Sequence, residues 1–151
     1  MDKNEILIRL SESKATKIGK EDFAQQSLPQ KVFTAIWEAQ GEVCNGGFSQ
    51  YFVNSSAESA SFVVEAFLTI GAHNTANICR QAIIAAFPDE LPLAVEDIQS
   101  VAKHFSKEVL AKLDSLDQEF YSYPDEVTDL LFSYVSAHPQ EFGDLPKPVE
   151  G

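Results

Sequence analysis

Apolar residues recur at helical spacing along almost the whole chain, and no stretch alternates apolar and polar residues with the β-branched content of a strand. That pattern restricts the chain to a helical fold. Val32, Phe33, Ile36, Trp37 and Ala39 make one stripe, with Lys31, Glu38 and Gln40 outside it. Phe62, Val63, Ala66, Phe67 and Ile70 make a second, and Ala76, Ile78, Cys79, Ala82, Ile83 and Ala86 a third. Further helices are expected over about 93–105, 106–121 and 124–138, with a short one around Ile6, Leu7 and Leu10.

Punctuation agrees with the period. Ser27 is placed to cap the helix that starts near Pro29, and Asn45-Gly46-Gly47 should stop it, because that run favours left-handed backbone. Phe48, Tyr51 and Phe52 then read as an aromatic turn that joins the core. Asn54-Ser55-Ser56 offers the next cap, with Glu58 set to meet the positive end of that helix. Gly71 suits the position just past its end. Phe87-Pro88 closes the helix of the third stripe, and Pro139 ends the periodic region. The expectation is an all-α single compact domain of six to eight helices with short connections, spanning 1–151. Residues 1–20 form an N-terminal helix and linker, and 143–151 a proline-containing tail.

Charge narrows the function. Eleven Lys and Arg against 23 Asp and Glu leave −12, with a pI near 4.5. That excludes nucleic acid and anionic membranes as direct electrostatic partners. Residues 1–40 hold six acids and six bases, so the whole excess lies in 41–151, and from Asp114 to Glu150 nine acids face Lys147 alone. A domain of this size spans about 40 Å, and duplex DNA of that length carries about 23 phosphates. A partner docked on one side meets about half of them, which 12 net charges match if most lie on one surface.

Other chemistries find little support. His73, His104 and His138 lack ligand spacing, and no calcium-loop pattern occurs, so no metal or cofactor is expected. Cys44 precedes Asn45 and the two glycines, whose N–H groups are of the kind that hold an oxyanion, but no histidine is close in sequence to serve as base. Cys44 and Cys79 read as free thiols of a cytoplasmic protein. No apolar run approaches the roughly 20 residues that span a bilayer, and the acidic start does not suit a secretory signal.

The segment from Trp37 through Glu42, Cys44-Asn45-Gly46-Gly47-Phe48, Gln50-Tyr51-Phe52 and Asn54-Ser55-Ser56 resembles the signature of a bacterial all-helical family, mostly of unknown function, that includes a DNA-mimic protein. The resemblance continues through Ala66–Ala72, Ala82–Pro88, Leu113–Tyr121 and His138–Phe142, covering about 30–142. Cys44 departs from the pattern, which has asparagine there. The resemblance implies an acidic, non-enzymatic helical protein, with a homodimer among its expected states, that occupies the DNA-binding surface of a basic transcription regulator. Asp114, Asp117, Glu119, Asp125, Glu126 and Asp129 are then the first candidates for phosphate surrogates. Glu42, Asn45, Gly46, Gly47, Phe48, Gln50 and Asn54 read as a structural bend whose side chains satisfy backbone and one another. Two alternatives stand beside this reading: an immunity-type inhibitor of a basic toxin or nuclease, and a small polar ligand site or enzyme built on the Asn45–Asn54 bend.

Overall fold

The computed structural model describes residues 1–149; Glu150 and Gly151, the end of the expected tail and one of its acids, lie outside the described residues. Eight α-helices follow the expected stripes: α1 Lys3–Glu12, α2 Leu28–Val53, α3 Val63–Thr69, α4 His73–Ala86, α5 Val95–Ala102, α6 Lys107–Tyr121, α7 Val127–Ser136 and α8 Pro139–Phe142. No strand occurs among the described residues. Helix α2 is the spine. It packs against α3, α5, α6 and a 3-10 turn at Ser55–Ser59, while α4 covers α3 and α6, and α1 lies on α7. Its stripe of Val32, Phe33, Ile36, Ala39 and Val43 is fully buried in one continuous core. Burying side chains of the larger kind contributes about 1.5–3 kcal/mol each.

The glycine run acts differently from a helix stop. Helix α2 continues through it with a single non-helical residue, Gly47, at φ 81° and ψ 179°. In an unbroken helix Phe48 would point about 140° away from Val43. The break instead turns Phe48, Tyr51 and Phe52 inward together, so these residues are helical and buried rather than a turn. Phe48 meets Phe120 edge-on at 5.7 Å, and Phe52 meets Phe87 at 5.2 Å. Such pairs add about 0.5–1.5 kcal/mol beyond burial.

Several boundaries differ from expectation for local reasons. The serines after Asn54 build the 3-10 turn, and the α-helix begins only at Val63. Ser56 Oγ donates to the Tyr51 carbonyl at 2.8 Å and Ser59 Oγ to the Ser56 carbonyl at 3.0 Å, bonds that compete with helical ones. Gly71, at φ 89°, ends α3 as expected, with the Ala72 N–H reaching the Phe67 carbonyl at 2.8 Å. Proline 139 starts a further turn of helix rather than ending the pattern, and Phe142 is buried against Phe33. Residues 13–20 are also tied down: Gln30 donates to the Ala15 carbonyl at 2.8 Å and accepts from the Lys17 N–H at 3.2 Å.

Candidate functional site

Two of the expected site groups meet at the break in α2. The N–H of Phe48, freed by Gly47, donates to Asp117 Oδ1 of α6 at 2.8 Å. Asp117 thus caps the second half of α2 as an N-cap residue would, but from another helix. It is only 8% exposed, which removes it from the acidic surface where the sequence placed it. Burial raises its carboxyl above the ordinary range, the Phe48 bond opposes that, and Asp114 adds to the rise. Position 47 has no room for a side chain: a Cβ there would lie 2.9 Å from Asp117 Cγ. On the outer side of the break, Glu42 Oε2 accepts from Gln50 Nε2 at 2.7 Å and Asn54 Nδ2 at 2.9 Å. Gly46 is exposed, and a Cβ there would collide with Gln50. Asn45 is exposed and stands outside this network. The polar groups of the bend are therefore largely directed at each other.

The remaining acids divide by what they touch. Asp125, in the turn after α6, accepts from the Thr75 N–H at 2.7 Å, from Thr75 Oγ1 at 2.8 Å and from Asn74 Nδ2 at 3.1 Å. It caps α4 from 50 positions away, a second departure from the surface role. Partial burial works to raise its carboxyl, but these bonds outweigh it and hold it below the ordinary range. Asp114, Glu119, Glu126 and Asp129 are exposed. Asp114 and Glu119 lie about 140° apart around α6, so they flank that helix instead of forming one row. Asp129 pairs with Lys3 at 3.3 Å, the one salt bridge among the described residues. An exposed pair of this kind contributes at most about 1 kcal/mol.

A carboxyl pair escaped the sequence reading. Glu38 was assigned to the outer face of α2, yet its Oε1 is buried without a hydrogen-bond partner. Its carboxyl is pushed up to about 8, by burial first and then by Glu58 and Glu42. Glu58 lies in the first turn after Asn54 as expected, but that turn is the 3-10 one packed over α2, and burial raises its carboxyl as well. The only available signal was the i, i+4 spacing of Glu38 and Glu42, which is common on solvated faces. The packing of the 3-10 turn is what closes over it.

Cys44 is exposed, with Sγ 3.7 Å from the Tyr123 hydroxyl, and Cys79 is buried; both are free. Among the described residues no three His, Cys, Asp or Glu side chains are arranged to hold a metal ion, and no helix is long and apolar enough to cross a membrane.

A comparison with protein families matches residues 24–138 to the model described as DMP19-like protein. That is well over half the chain, and it spans the broken helix, both capping aspartates and the acidic helices. The chain belongs to the DMP19-like family. No curated protein and no solved structure matches it. Within the region matched to the DMP19-like model, the residues around the bend tie α2 to α6 and to the start of the 3-10 turn, while Asp114, Glu119, Glu126 and Asp129 are exposed.

Proposed function

We propose that this DMP19-like protein is a non-enzymatic acidic binder that occupies the DNA-binding surface of a basic protein, such as a transcription regulator, and competes there with DNA. The observation that carries the reading is charge left uncompensated: of 23 acidic residues, one forms a salt bridge among the described residues. The excess falls entirely after residue 40; Asp114, Glu119 and Glu126 present it to solvent on α6 and the turn before α7, and the exposed Asp129 on α7 is the acid that pairs with Lys3. Family membership supports the same reading, since the resemblance implies a DNA mimic. Asp117 and Asp125 contribute by holding the acidic helices in place. Complementary charge speeds encounter and makes affinity fall with salt.

The test is capture of binding proteins from host lysate on the purified chain, at low and high salt, with duplex DNA as competitor. The expected catch is a basic DNA-binding protein that salt weakens and DNA displaces. The combined variant Asp114→Asn, Glu119→Gln, Glu126→Gln and Asp129→Asn should fold normally and lose the catch. Binding that ignores both DNA and these amides would refute the proposal.

A further inference from the structure

A cavity of about 330 Å³ opens between α1, α2 and α7, walled by Leu7, Trp37, Gln40, Gly41, Cys44 and Tyr123, with Val127, Thr128 and Leu131 behind them. One residue on its wall, Gly41, carries a conformational penalty that the fold does not require. Gly41 lies inside α2 with nothing within 4 Å of where a Cβ would stand and no positive φ. A helix-interior glycine is less favourable than alanine by roughly 0.5–1 kcal/mol, and here it makes room for no neighbour. The space it leaves is the cavity. Tyr123, just past the end of α6, holds the left-handed backbone that closes that helix, φ 50°, with its N–H donating to the Phe120 carbonyl at 3.1 Å. Tyr123 is left 61% exposed beside the cavity.

The walls also specify chemistry. Leu7, Trp37, Val127 and Leu131 give an apolar interior with no formal charge. Past Tyr123 an adjoining hollow of about 230 Å³ shares Gln40, Val127 and Thr128 with the cavity and adds Asp125 and Glu126. Asp125 is already bonded to Asn74 and Thr75, which leaves the exposed Glu126 as the free charge. Lys3, the nearby cation of α1, is held by Asp129 and stands over the Phe132 ring. The aromatic faces of Trp37 and Tyr123 favour a cation as well. A space near 150 Å³ admits benzene, so the cavity has volume for a larger body.

We propose that this cavity is a binding site for a small amphipathic amine, its aromatic or branched apolar body beside Gly41 and Trp37 and its ammonium beside Tyr123 and Glu126. The site shares Glu126 with the DNA-competing surface, but its other lining residues are not part of that surface, and the proposal stands without that reading. Pockets of this size with few convergent polar groups are the usual form of small-molecule sites.

Trp37 is the only tryptophan in the chain, so its emission reports occupancy without a label. Phenethylamine should change that emission saturably, and 3-phenylpropionate, matched in shape but anionic, should bind about tenfold more weakly or worse. Glu126→Gln should narrow that difference. Gly41→Leu should fill the space and abolish the response, and Gly41→Ala should weaken binding while raising the melting temperature. Absence of a saturable response to phenethylamine overturns the proposal. So does equal binding of the carboxylate, or unchanged binding by a folded Gly41→Leu.

Discussion

Replacing Gly47 by alanine tests the central joint of the molecule. Gly47 sits at φ 81° and ψ 179°, a region that is essentially restricted to glycine, and holding alanine there costs about 1–3 kcal/mol. The added Cβ would also lie 2.9 Å from Asp117 Cγ, so the carboxylate must retreat from the Phe48 N–H that it receives at 2.8 Å. Phe48 is buried, and an N–H orphaned there costs a further ~1–3 kcal/mol. The two parts add to about 2–6 kcal/mol, a large share of the 5–15 kcal/mol that a domain possesses. At about 2–4 °C per kcal/mol for a chain of this length, the melting temperature should fall by roughly 4–24 °C. Urea and thermal unfolding followed by circular dichroism measure the loss. A double-mutant cycle separates its parts: with Asp117→Ala in the background, Gly47→Ala should lose only the backbone share, leaving a coupling of about 1–3 kcal/mol. Gly41→Ala, in the same helix with open space around it, should shift stability the other way. A loss under about 1 kcal/mol for Gly47→Ala, or the same loss with and without Asp117, would refute this account.

Three further outcomes follow from the same contacts. Asp117→Asn keeps an acceptor for Phe48 and should stay within about 1 kcal/mol of the parent, whereas Asp117→Ala should lose about 1–3 kcal/mol in urea unfolding; equal stability of the two would mean that the cap contributes nothing. Asp125→Ala removes the cap of α4 and should cost about 1 kcal/mol at neutral pH. Because the folded carboxyl of Asp125 is held low, its contribution is present above the unfolded value near 4 and fades as pH falls through the folded one, so the variant and parent should converge in acid. Glu38 has the opposite sign. Its folded value of about 8 lies above the ordinary 4.5, so its contribution is complete below about 4.5 and is lost as pH rises through 8. The parent should lose stability between pH 5 and 8 and Glu38→Gln should flatten that slope, as seen in unfolding free energies across the range; parallel slopes would show that Glu38 does not take up a proton on folding.

The helical class, the stripes Val32–Ala39 and Phe62–Ile70 and the end of α3 at Gly71 are legible because they depend on local geometry. A 3.6-residue period and a left-handed glycine act over a few positions, and a linear sequence displays them. The family resemblance was legible for a related reason, since Asn45-Gly46-Gly47-Phe48 and its neighbours are contiguous. The division of labour among the acids was not legible. Asp114 and Asp117 are three residues apart and of one type, yet one faces solvent and the other caps Phe48 across 69 positions. Asp125 likewise meets Thr75 only because α4 starts beside the turn after α6. Glu38 has an ordinary polar setting in sequence until the 3-10 turn brings Glu58 over it. Sequence alone determined that this chain is a helical, strongly acidic domain broken at a Gly-Gly bend. Tertiary packing decided which carboxylates hold the fold and which stay exposed to solvent, because a charge's role depends on the groups that reach it, and those come from distant parts of the chain.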